Sequence, residues 1–197
     1  MGNMEFLKTL FLFSGLLFLV GCGDQKRENF TTLDDDGNIV ISDQSLDILE
    51  EIEEDYYDCK SSETEERECN HFTAEAICRF YEIDDFEKDG EYVSYRDIRD
   101  IVTLQGNWEP IGSATSQSDL DAAQQHANDG RATIAFDPNK SNHVAIILPG
   151  QTAKSNSWGL EAPNSASFFV HKVDCYVNKA LSYSFSSPEG IILYAVK

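Results

Sequence analysis

Apolar residues recur along this chain with two different periods, a helical one in the first two thirds and a strand-like one after it. From Ser42 onward, Leu46, Leu49, Ile52 and Tyr56 return every three or four positions, while Glu50, Glu51, Glu53 and Glu54 fill the opposite face. That spacing predicts an amphipathic helix with Ser42 or Asp43 as its N-cap. After a polar, turn-like run over 58–68, the stripe Phe72, Ala76, Ile77 and Phe80 predicts a helix from about Cys69 to Tyr81. Tyr95, Ile98, Ile101 and Val102 predict another from near Ser94 to Leu104, stopped by Gly106. The stretch 107–112 reads as a loop. A last helix, capped by Ser118 or Asp119, runs through Ala127 and ends at Asn128-Asp129-Gly130.

Strands follow. Ala132 to Phe136 is one, and Asp137-Pro138-Asn139-Lys140 is a turn. His143 to Leu148 is nearly all apolar, as a central strand buried on both faces would be. After a long loop over 150–165, Phe168 to Val173 reads as a third strand, and Leu181–Phe185 with Ile191–Val196 as a closing pair. Helices first and an antiparallel sheet afterwards predict an α+β layer architecture, with N-terminal helices packed on a central sheet.

The first 21 residues stand outside that pattern. Lys8 precedes an apolar run from Leu10 to Val20, too short to span a bilayer, which takes roughly 20 apolar residues. It fits the apolar region of a secretory signal peptide. Its ending, Leu19-Val20-Gly21-Cys22, resembles the bacterial lipobox, which implies removal of residues 1–21 and a lipid on Cys22. Residues 22–42 then read as an acidic tether, and 43–197 as one domain. The expectation is an exported lipoprotein, held to a membrane through Cys22 and facing the periplasm or the cell surface.

The formal net charge is −20, and residues 24–68 alone hold seventeen Asp or Glu against four Lys or Arg. Such a balance argues against nucleic-acid partners, because phosphate backbones require basic patches. Export permits disulfides among Cys59, Cys69, Cys78 and Cys175. Cys69 and Cys78 cannot pair within one helix, since nine residues at 1.5 Å rise separate them by roughly 13 Å. Pairing of Cys69 with Cys59 or Cys175 stays open. If Cys69 is free, a Cys59–Cys175 pair leaves Cys78 buried on its helix.

Two short stretches carry the candidate chemistry. Cys69-Asn70-His71-Phe72 opens a helix, and His143 opens the apolar strand. A cysteine is nucleophilic as its thiolate, which a helix N-terminus and a nearby imidazolium both favour. Backbone N–H groups of the first helical turn offer oxyanion donors. His143 is then the base, and a third polar group orients its ring: Asn164 is the candidate, with Asn142 and Ser165 as weaker ones. Trp158, Asn70 and Ser165 are candidate substrate contacts. His71, His126 and His171 take no role. No Cys or His pair has zinc-ligand spacing, so neither metal nor organic cofactor is expected.

The runs Cys-Asn-x-Phe, Ala-Asn-x-Gly, His-Val-Ala-Ile-Ile-Leu-Pro-Gly, Trp-Gly and Pro-Asn-Ser-Ala-Ser-Phe, spread over residues 69 to about 170, resemble bacterial peptidoglycan amidases. The likeness is to the CHAP (cysteine, histidine-dependent amidohydrolase/peptidase) and NlpC-type papain-like superfamily. It implies a papain-like fold, Cys69 as nucleophile, His143 as base and Asn164 as third residue. It also implies a hydrolase cutting amide bonds in peptidoglycan stem peptides, with Tyr56 or Tyr57 supporting the oxyanion. Glu68-Cys69-Asn70-His71 stands where many NlpC enzymes carry Asp-Cys-Ser-Gly. The competing expectation is a non-catalytic envelope lipoprotein that binds wall fragments or a protein partner, with Cys69 tied in a disulfide.

Overall fold

The structure, a computed structural model, describes residues 30–62, 68–138 and 143–197. Among the described residues four α-helices form where the apolar periodicity is helical, three of them behind a serine cap. Helix α1 spans Asp43–Ser61, and the Ser42 hydroxyl accepts the Ser45 N–H at 3.3 Å. Helix α2 is Phe72–Tyr81, beginning three residues later than its stripe suggests because His71 takes the N-cap place. Helix α3 is Tyr95–Leu104, capped by Ser94. Helix α4 is Gln117–Asn128, capped by Ser116 rather than Ser118 or Asp119. The Asp119 carboxylate instead accepts the Ser113 N–H at 2.9 Å. A Cβ on Gly112 would lie 2.1 Å from that carboxylate, so only glycine permits this approach.

The central sheet has six strands: β1 Trp108–Ser113, β2 Thr133–Phe136, β3 Val144–Ile147, β4 Asn164–Phe168, β5 Cys175–Ala180 and β6 Ile192–Val196. Their order is β5-β4-β3-β2-β6-β1, and every neighbouring pair is antiparallel. The chain is therefore α+β.

Several expectations change. Residues 108–113 form an edge strand, where Pro110 is tolerated because it need not donate to a second neighbour. The third strand is Asn164–Phe168, not Phe168–Val173. Beyond Phe168 the backbone turns around the Tyr56 hydroxyl, which lies 2.7, 2.8 and 3.0 Å from the carbonyl oxygens of Phe169, Lys172 and Asp174. It also accepts the Asp174 N–H at 3.1 Å. Leu181–Tyr183 is a 3-10 turn, and β6 runs between β2 and β1 rather than closing against it. Residues 31–33 and 39–41 pair as a hairpin where a tether was expected, and Phe30 is buried against Phe80 and Tyr81, with ring centroids 5.8 and 6.0 Å away.

Alternation along the strands makes two cores. Ile134, Phe136, Val144, Ile146 and Phe168 meet Leu49, Ile52, Phe72, Ile77 and Ile98 of α1, α2 and α3. Ala135, Ala145, Ile147 and Leu193 meet Leu120, Ala123 and Ala127 of α4. The sheet is thus buried on both faces, and each fully buried large side chain contributes about 1.5–3 kcal/mol. Among the described residues, no helix is long and apolar enough to cross a membrane.

Candidate functional site

A cavity of about 300 Å³ opens at one end of β3 and β4, where the N-terminal turn of α2 meets the sheet. Thr73 of α2 and Tyr95 of α3 line it, with His143, Phe168, Phe169, His171, Lys172 and Ser184. His143 stands one residue before β3, and its carbonyl accepts the Asp137 N–H at 3.0 Å. Its ring stacks on Phe169 at 4.7 Å and meets the edge of Phe185 at 5.2 Å. Nε2 lies 2.9 Å from the Ser167 hydroxyl. Burial, with a smaller push from Lys172, lowers the imidazole pKa to about 4, against a weaker pull from Asp137. The ring is neutral at neutral pH, able to accept a proton but not to hold one beforehand.

Lys172 crosses Phe169 with Nζ 3.7 Å from the ring centroid and pairs with Asp174 at 2.7 Å. On the other wall the Tyr95 and His171 rings meet edge to face at 6.3 Å. His171 is on the turn beyond β4 rather than on a strand. The Tyr95 N–H donates to the Asn70 carbonyl at 2.9 Å, which ties the residue after Cys69 to the cavity wall.

Cys69 itself is a disulfide half, joined to Cys59 with the two Cα atoms 6.0 Å apart. It is buried and is not among the cavity-lining residues. A sulfur in a disulfide has no thiolate to offer, so this form of the chain has no nucleophile at Cys69. The suggested Cys59–Cys175 pairing is not formed. Cys78 and Cys175 are buried free thiols whose burial raises their pKa to about 11 and about 12, the reverse of an activated cysteine.

The structure does not bring Asn164 to His143. Its amide donates to the Pro149 carbonyl and the Asn178 side chain, each at 2.8 Å, and its side-chain oxygen accepts the Ser165 N–H. The side chain that meets the His143 ring nitrogen is Ser167 instead. The β3–β4 register pairs Ser165 with Ile147 and Ala166 with Ile146, and its continuation puts Phe169 opposite His143 with Ser167 diagonal to it. The apolar stretch Phe168-Phe169-Val170 places the expected strand four or five residues too late, which hides this neighbour.

Trp158 is a core residue, 9% exposed, with its indole N–H donating to the Phe185 carbonyl at 3.1 Å, so it forms no groove wall. Ser165 is fully buried and donates to the Lys179 carbonyl at 2.8 Å. Asn70 is half-buried, and its amide donates to the Glu68 carboxylate. Tyr56 braces the β4–β5 turn instead of an oxyanion. Among the described residues no group of His, Cys, Asp or Glu could hold a metal ion. Cys22 and Asn142 lie outside the described residues. Comparison with family models, curated proteins and solved structures finds no match to this chain, so its own residues carry the functional reading.

Proposed function

We propose that the chain is an exported, papain-like cysteine amidase or endopeptidase acting on peptidoglycan stem peptides, latent while Cys59 and Cys69 are joined. The observation that carries this reading is the shared cavity: Thr73, in the first turn of α2 and four residues past Cys69, lines the same cavity as His143, whose ring meets Ser167. A lipid on Cys22 would hold the enzyme in the envelope, where its substrate and an oxidising milieu coincide.

The chemistry starts from reduction. A dithiol reductant supplies two electrons and two protons, and Cys59 and Cys69 become thiols. Cys69 attacks an amide carbonyl as neutral His143 takes the thiol proton. The Ser167 hydroxyl, 2.9 Å from Nε2, orients the ring for that transfer. Backbone N–H groups of the α2 N-terminal turn stabilise the oxyanion. His143 returns the proton to the leaving amine, and the thioester is then hydrolysed by water that His143 deprotonates. An imidazole pKa lowered to about 4 disfavours a standing thiolate–imidazolium pair, so the proton moves only as Cys69 attacks.

The disulfide itself favours a second reading, a non-catalytic envelope lipoprotein that binds wall fragments or a protein partner. Digestion of purified muropeptides, followed by mass spectrometry, decides between the two. The amidase reading expects cleavage by reduced protein and by Cys59→Ser without reductant, and none by oxidised protein or Cys69→Ser. Reduced protein that binds muropeptides but leaves every amide intact sustains the second reading and removes the first.

A further inference from the structure

The 3-10 turn Leu181–Tyr183 separates the His143 cavity from a second, open hollow of about 600 Å³. Ser184 faces the cavity, while Ser182 and Tyr183 face the hollow together with Lys154, Asn156, Ser157 and Lys179. Three observations set this hollow apart. First, Tyr183 is 67% exposed, a large aromatic ring left in water beside the site. Second, the hollow gathers two lysines in a chain whose formal charge is −20, and the ion pairs of the described residues include neither of them. Third, Lys179 Nζ stands 5.7 Å from the Tyr183 ring centroid and 6.0 Å from that of Tyr176, and the two rings meet edge to face at 6.0 Å. The aromatic ring is thereby held in place next to a cation.

An exposed, braced aromatic face, short hydroxyl and amide side chains and two cations match an acidic glycopeptide. The apolar face of a sugar ring covers an aromatic ring, its hydroxyl and N-acetyl groups meet serine and asparagine, and carboxylates meet lysine. We propose that this hollow is a glycan subsite, which takes an N-acetylated amino sugar against Tyr183 and a neighbouring carboxylate against Lys154 and Lys179. The peptide attached to that sugar then crosses the 181–183 turn into the His143 cavity. This inference rests on the amidase reading and narrows it: the substrate is a stem peptide still joined to its sugar, not the free peptide.

Binding is measured by calorimetry on oxidised protein, in which the closed disulfide prevents turnover, with a disaccharide–tetrapeptide and the same free tetrapeptide as probes. The expected result is roughly tenfold tighter binding of the disaccharide–tetrapeptide, about 1.4 kcal/mol. Tyr183→Ala and the double variant Lys154→Ala/Lys179→Ala should each abolish that preference while the melting temperature is unchanged, since these side chains are at the surface. Equal affinity for the two probes, or a preference that survives both variants, overturns the subsite. The two proposals fail separately. A Tyr183-dependent preference without cleavage by reduced protein removes the amidase and leaves the subsite. Equal cleavage of both probes, unaffected by Tyr183→Ala, removes the subsite and leaves the amidase.

Discussion

The His143 ring lies against Phe169 and Phe185 with Nε2 at Ser167, and its pKa is lowered to about 4 from an ordinary value of 6.5. A lowered folded value means that the unfolded chain binds more protons between those two pH values. Stability from this group is therefore complete above about pH 6.5 and is lost as pH falls through 4, on the order of 3 kcal/mol in all. Denaturant unfolding of wild type and His143→Gln at pH 7.5 and 4.5 isolates the effect, because the carboxylates titrate in both proteins. Wild type should lose about 2 kcal/mol more than the variant over that interval. Equal losses would mean that the imidazole is not held neutral by burial. At this scale the histidine was legible in the sequence and its partner was not. A histidine opening an apolar run identifies itself, whereas Ser167 becomes a neighbour through a strand register that begins at Asn164. Asn164 has the right residue type but spends its amide on Pro149 and Asn178.

At the scale of elements, the helices are the parts that local sequence decides. Each carries an apolar stripe, three of them follow a capping serine, and all four are found within a few residues of expectation. Strands β1 and β5 are the parts it does not decide. Trp108-Glu109-Pro110-Ile111-Gly112 has no clean alternation, and in β5 Asn178 takes a positive φ of 59° beside Lys179. The turn at 169–174 looks like a strand because its apolar residues are local, while the Tyr56 hydroxyl that bends it is more than a hundred residues away in the chain. The disulfide belongs to this scale as well. It links the last turns of α1 to the segment leading into α2, across a separation of ten residues. Closing a loop of that size stabilises a fold by about 3 kcal/mol in the chain-entropy account. Cys59→Ser should therefore unfold at lower denaturant than oxidised wild type by about that amount. It should also expose one thiol at Cys69 that mass-spectrometric mapping after iodoacetamide finds without prior reduction. Cys69 that stays unlabelled in folded Cys59→Ser, yet labels after unfolding, would mean that its sulfur is sealed from the cavity even when free, and catalysis by Cys69 would fall.

On the scale of the whole molecule, what the sequence conceals is where the folded unit begins. Asp34-Asp35-Asp36-Gly37 reads as solvated tether, and those residues are indeed exposed. They nevertheless turn a hairpin, since the Asp34 carboxylate accepts the N–H groups of Asp36 and Asn38 at 3.0 and 2.8 Å, with Gly37 at a φ of 80°. The hairpin matters because of what it brings along. Phe30 is 5% exposed, packed on Phe80 and Tyr81 near the end of α2, and Ile41 is buried in the same core. Tyr81 is buried and its hydroxyl donates to the Ile147 carbonyl of β3, so Phe30 covers the joint between α2 and the sheet. Removing residues up to 42 opens that joint at the end of α2 away from the cavity. A chain starting at Asp43 should melt well below one starting at residue 24, and Phe30→Ala in the longer chain should by itself cost about 3 kcal/mol, the usual range for emptying a buried phenylalanine site. Thermal unfolding of the three proteins at one pH checks this. If the chain from Asp43 melts with the longer one, the hairpin is only tether, and the domain starts with α1.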